Sequence, residues 1–265
     1  MKRLQTNDSA LGWHIIMHPR DRRVLGQTVQ DRRLISQIVL DKSHNHGLLV
    51  FRAADTHVHE EVACDREAAG DLAQRVESSL TLRLKIDVGF CSEILPIRTQ
   101  QHLAHVFHYI LKQEPHHGTE VDPCHEASCL PDLVALRPMG RYVASNVRRL
   151  LPRVTREDLL EHFGLQQLDE AAGGGPQEVL EAALAAAGLP RLAGHGASAN
   201  QVRRAVLAVL GRSVTGRVLA QLLRVSERTI MRLRQQPADE TMVRATCLQV
   251  TLRRQVRLRT DDTFR

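Results

Sequence analysis

The stretch Leu48-Leu49-Val50-Phe51, then Ala53-Ala54-Asp55-Thr56, then His57-Val58-His59-Glu60-Glu61-Val62 reads as a buried strand, a turn and a second strand, that is, a β-hairpin. In the second strand successive side chains leave opposite faces, so His57 and His59 project from one face and Val58 from the other, into the core. Two imidazoles on one strand face can hold one metal ion. The same alternation sends Glu60 away from the histidine face. With 14 histidines in the chain such a pair also arises by chance.

Working outward, Trp13 to His18 reads as a strand, and Gln27 to Lys42 as a helix whose apolar face is Val29, Leu34, Ile35, Ile38 and Val39, ended by Gly47. After the hairpin, Asp65 can cap a helix running to about Lys85, with Leu72, Val76, Leu80 and Leu84 on one stripe. A short extended piece from Ile94 to Ile97, broken by Pro96, leads into a helix from Thr99 to Glu114. This order predicts an α+β fold, an antiparallel-rich sheet with packed helices. On the last helix Tyr109 and Gln113 stand at i and i+4, on one face. The chain has only two tyrosines, and the bland alternative for Tyr109 is a core aromatic with its hydroxyl satisfied.

This succession, with His57-Val58-His59 closing the hairpin and Tyr109-Ile110-Leu111-Lys112-Gln113 on the late helix, resembles the single-tyrosine HUH transposases of small bacterial insertion sequences and of the REP-associated type. The resemblance covers roughly residues 12–118. It implies a ferredoxin-like HUH domain in which His57, His59 and Gln113 bind Mg²⁺ or Mn²⁺ and Tyr109 attacks a DNA phosphate. Thr56 stands where the family usually has Asn, Glu60-Glu61 where it has an apolar run, and Glu114-Pro115 where the REP-associated branch often has Asn-Pro.

The chemistry asks for such groups. A phosphodiester attacked by a phenol needs charge neutralised at its non-bridging oxygens, a polarised leaving oxygen and an in-line nucleophile. Two imidazoles and an amide oxygen leave open positions on a divalent ion for those oxygens. A phosphotyrosine link conserves the bond for later rejoining. His105, one turn before Tyr109, reads as a surface histidine.

The net charge of +6 is unevenly distributed. Residues 201–265 hold 14 Arg and 5 acidic residues, a local +9, leaving −3 for the rest. A polyanion is the expected partner of that end. Within it, Gly216 to Arg234 carries Leu219, Ala220, Leu223, Val225, Ile230 and Leu233 at the apolar slots of a helix-turn-helix, with Ser226 capping the second helix. That helix would offer Glu227, Arg228, Thr229 and Arg232 to a major groove, and Arg224 and Arg234 to phosphates. Arg224 occupies the turn position that usually holds Gly. The alternative is an amphipathic hairpin packed inside a bundle.

Three regions follow: residues 1–120, a HUH-like domain; 121–200, a connecting region with linkers at Ala171–Pro176 and Pro190–Asn200, a capped helix at Thr155–Gly164 and an alanine-rich one at Gln177–Ala187; and 201–265, a basic helical domain, so that the C-terminal region is all-α. Apolar residues at 43% and charged ones at 25% fit a globular chain and exclude a disordered or fibrous one. No stretch approaches a bilayer span, so no membrane partner is expected, and the cytoplasm is the expected compartment. Five scattered cysteines argue against a disulfide framework. Cys124 and Cys129, with His116, His117 and His125, have loose zinc spacing and read better as loop residues.

The leading expectation is a transposase-like enzyme that nicks and joins single-stranded or hairpin DNA through a 5′-phosphotyrosine, with duplex contacts from the C-terminal domain. The alternatives are a non-catalytic DNA-binding regulator derived from a transposase and a metal-dependent hydrolase acting through water. The oligomeric state, monomer or homodimer, is left open.

Overall fold

The computed structural model describes residues 10–113, 122–165, 168 and 174–262, with side chains to 257. The protein is α+β, a four-stranded antiparallel sheet accompanied by helices. It divides into two units, Met1–Leu25 with Ile38–Thr119, and Gly26–Gln37 with Glu120–Arg265. Among the described residues no helix is long and apolar enough to cross a membrane.

The first unit runs β1 (Gly12–Pro19), the second half of α1 (Val29–Ser43), β2 (Leu48–Ala54), β3 (His57–Val62), α2 (Arg66–Leu84), β4 (Phe90–Ile97) and α3 (Gln100–Leu111), with the sheet ordered β2-β3-β1-β4. Gly47, at φ +64°, turns the chain from α1 into β2, and a Cβ there would stand 2.6 Å from the Ala63 carbonyl oxygen. The β2–β3 turn is shorter than the sequence suggests, because Ala53 and Ala54 still pair with Val58 and His57 and only Asp55-Thr56 connect the strands. β4 starts earlier than expected and keeps Pro96 within it. As an edge strand it tolerates a residue with no N–H to donate.

Register fixes the two faces. Trp13, Ile15 and Met17 of β1 pair with Val62, Glu60 and Val58, a fully or nearly buried set. On this face Ser43 of α1 donates to Glu60 and the Arg66 guanidinium of α2 lies over the Trp13 ring at 5.4 Å. His14, Ile16 and His18 share the opposite face with His57, His59 and Glu61. There α3 packs, through buried Leu103, Val106, Phe107, Ile110 and Leu111. Asp65 and Thr99 cap α2 and α3 by accepting from Ala68 and His102 N–H. α3 ends at Leu111, with a turn at Lys112 and Gln113 again helical, and the expected end at Glu114 lies outside the described residues. The Arg52 guanidinium donates to the Leu111 carbonyl at 3.3 Å.

The second unit has the short α4 (Leu130–Leu133), a 3₁₀ turn (Pro138–Gly140), α5 (Arg141–Leu150), α6 (Arg156–His162), α7 (Pro176–Ala187), α8 (Ala197–Leu210), α9 (Gly216–Leu223), α10 (Glu227–Arg234) and α11 (Glu240–Asp262). Its apolar centre is a cluster shared by α7, α8, α9, α10 and α11, including Val179, Ala183, Val202, Val206, Leu219, Leu223, Ile230 and Val250. Beside it is a buried ionic hub. Glu126 accepts from Arg33 and, at 2.7 Å, from Arg253, while Arg137 donates to the Glu126 carbonyl at 2.9 Å and to Asp132 at 2.9 Å. The buried Arg33 and Arg137 guanidinium groups are each offset by a carboxylate there.

Candidate functional site

On the α3 face of the sheet, three predicted site residues come together. The His57 and His59 rings have centroids 4.4 Å apart and stand edge to face at 77°. The Tyr109 ring, half-buried on α3, lies 5.8 Å from His59 at 87°. The strand spacing of the histidines and the helical position of the tyrosine therefore converge on one surface. Thr56, just before the pair, places Oγ1 3.3 Å from His57 Nδ1 and so steadies that ring. Gln113 is 1% exposed, four residues beyond Tyr109. His105 is exposed, as expected of a surface residue.

A fourth side chain joins this group that sequence reasoning did not single out. His14 of β1 is 7% exposed, its Nε2 is 2.9 Å from His59 Nδ1, and its ring stacks on His59 at 5.1 Å and meets Tyr109 at 6.1 Å. Burial, with smaller contributions from His102 and His57, lowers its pKa to about 4, so it is neutral at pH 7. When neutral His14 carries its proton on Nδ1, its Nε2 accepts from His59 Nδ1–H. His59 then keeps its basic lone pair on Nε2, the form a divalent cation requires. His14 lies in the stretch that reads as a strand, but only the β1–β3 register shows which residue it meets.

Two further residues complete the face. Arg52 lies beside His59 in register, is 2% exposed, and holds the end of α3 through Leu111. Glu61 lies opposite His14 and is fully buried, and neither carboxylate oxygen has a hydrogen-bond partner among the described residues. Burial pushes its carboxyl well above the usual carboxylate range. Glu60, on the other face, is held at about 8 by burial, partly offset by the Ser43 hydroxyl.

Two imidazoles at this separation are donors that suit a divalent cation. Among the described residues no group of three His, Cys, Asp or Glu forms a metal cage, and the expected third donor, the Gln113 amide, is of another type. Cys124 and Cys129 form no disulfide, and burial raises the Cys124 thiol to about 12. His116 and His117 lie outside the described residues.

In the second unit α9 and α10 form a helical hairpin whose buried residues are Leu219, Ala220, Leu223, Ile230 and Leu233, with Val225 partly buried. Thr215 and Ser226 cap the two helices by accepting from Val218 and Thr229 N–H. Arg224 takes the left-handed conformation at φ 51° and ψ 50°. Glu227, Arg228 and Arg232 are exposed and Thr229 is half-buried. Arg234 is exposed and its Nη2 donates to the Gly211 and Val214 carbonyls at 3.3 and 3.4 Å.

Comparison with protein-family models, with curated proteins and with solved structures finds no match to the chain.

Proposed function

We propose that the first unit is a metal-dependent enzyme that nicks and rejoins single-stranded or hairpin DNA, with Tyr109 as nucleophile, and that the basic helical end binds DNA through a helix-turn-helix. The observation that carries this reading is the convergence of His57, His59 and Tyr109, from a strand and a separate helix, within ring contact. The strand order β2-β3-β1-β4 with its βαββαβ succession supports a ferredoxin-like, HUH-type domain.

His57, His59 and Gln113 would hold Mg²⁺ or Mn²⁺, which when bound neutralises phosphate charge and polarises the leaving oxygen. Tyr109 Oη attacks phosphorus in line, the bond to the 3′ oxygen breaks, and the phenolic proton leaves to solvent while the 3′ oxygen departs as a hydroxyl. The products are a 5′-phosphotyrosine and a free 3′-OH strand, and attack by a 3′-OH reverses the step. Arg52 holds the helix end on which Tyr109 and Gln113 depend.

The test is cleavage of a single-stranded hairpin oligonucleotide with Mn²⁺, comparing wild type with Tyr109→Phe, His57→Ala and Gln113→Ala. Loss of nicking in Tyr109→Phe, together with weakened Mn²⁺ binding in the other two, more so in the histidine variant, supports the reading. DNA binding without metal-dependent nicking in wild type assigns the protein to non-catalytic DNA regulation. Nicking that survives in Tyr109→Phe assigns the reaction to water.

A further inference from the structure

The second unit holds a cavity of about 280 Å³ whose lining includes Arg191, His195, Arg203 and Arg224 and no acidic side chain. Arg203 of α8 is 2% exposed. Its Nε donates to the Leu223 carbonyl at 3.3 Å and its Nη1 to Asn200 Oδ1 at 3.1 Å, both neutral acceptors. Among the described residues no carboxylate pairs with Arg191, Arg203 or Arg224. The contrast lies within the same unit, where buried Arg33 and Arg137 each have a carboxylate. Burial of Arg203 disfavours its charge, and among the described residues no carboxylate offsets it.

Arg224 adds a second, independent observation. It sits at the C-cap of α9 at φ 51°, with its N–H bonded to Ala220 and Gln221 carbonyls, a conformation in which glycine is the unstrained residue. A strained backbone that carries a guanidinium to the rim of a cationic cavity is the kind of compromise found where a side chain binds something. Arg191 and His195 come from the loop before α8, outside the helix-turn-helix, and face the same space.

We propose that this cavity binds a phosphate group, supplied by the backbone of duplex DNA or by a free phosphate. Arg203 is the buried anchor, and Arg191 and Arg224 close on the oxygens with charge-assisted hydrogen bonds. The DNA source rests on reading α9 and α10 as a helix-turn-helix; the free-phosphate source does not. For the DNA source, Arg224 lies in the turn between α9 and α10, and a phosphate held there would fix that hairpin on the duplex.

The experiment uses the full chain and two probes, inorganic phosphate followed by thermal shift at constant ionic strength, and a duplex followed by anisotropy over a salt series. The variants are Arg191→Ala, Arg203→Met and Arg224→Gly. Arg224→Gly relieves the left-handed strain, so it should melt higher than wild type while binding about tenfold more weakly, a combination that a structural role alone does not produce. Reduced duplex affinity with a log-log salt slope smaller by about 0.9 per variant identifies a DNA phosphate. Loss of phosphate-induced stabilisation with unchanged duplex affinity identifies a free phosphate. Wild-type behaviour of Arg191→Ala and Arg224→Gly toward both probes would overturn the proposal, whatever Arg203→Met does to folding. Arg228→Ala, which lies outside the cavity, reports separately on the helix-turn-helix reading.

Discussion

His14 Nε2 stands 2.9 Å from His59 Nδ1 with the two rings stacked, so the central histidine of the site is oriented by a neighbour from the adjacent strand. Removing such an orienting partner typically lowers metal affinity 10- to 100-fold, roughly. His14→Ala should therefore weaken Mn²⁺ binding by about that factor in a calorimetric titration, and His14→Gln, which still offers an acceptor, should recover part of the loss. Wild-type affinity in both variants would show that His14 only fills space.

Glu60 and Glu61 make stability depend on pH. Both are fully buried in β3, and burial holds Glu60 at about 8, above its ordinary 4.5, and Glu61 also well above it. A carboxyl with a raised folded-state pKa contributes stability that is complete below its unfolded value. That contribution is lost as pH rises through the folded value. The wild-type denaturation midpoint should thus fall between about pH 4.5 and 8, at about 1.4 kcal/mol per pH unit from Glu60. Glu60→Gln should flatten that decline, and a decline equally steep in the variant would contradict the assignment.

Much of this arrangement was legible in the residues. The apolar periodicity, the caps at Asp65, Thr155 and Ser226, and the helix stop at Gly47 are local signals, and each marks the element it predicted. His57, His59 and Tyr109 were found because strand and helix spacing expose them. His14 and Arg52 escaped because their roles depend on cross-strand register, a long-range property that no local pattern encodes. The first half of β4, Phe90 to Glu93, escaped because an edge strand that is largely exposed carries no apolar alternation. The charge count of the basic end does not separate exposed arginines from buried ones, so it does not reveal that Arg203 is buried or that Arg234 donates to backbone carbonyls.

The Glu126 hub gives a stability prediction for the second unit. Glu126→Gln leaves Arg33, 1% exposed, without its bidentate carboxylate partner and also loosens Arg253. Breaking one side of a buried pair costs about 3–5 kcal/mol, which chemical denaturation will read as a clear loss of midpoint. A change under about 1 kcal/mol would mean that solvent reaches the hub.

The exposed arginines of α10 should separate by role. Arg228→Ala should relax sequence preference among duplexes, because its side chain projects from the first turn of the candidate recognition helix. Arg234→Ala should weaken all sequences alike and also lower the melting temperature by a few degrees, because its contacts to Gly211 and Val214 tie α10 to the segment before α9. Equal discrimination by the Arg228 variant and wild type would place base reading elsewhere.

The most direct measurement is mass spectrometry of the protease-digested protein after incubation with a single-stranded hairpin oligonucleotide and Mn²⁺. The account predicts a peptide containing Tyr109 that carries a 5′-linked nucleotide, absent with chelator and absent in Tyr109→Phe. Cleaved oligonucleotide with no adduct on any residue, or an adduct that persists in Tyr109→Phe, would contradict it.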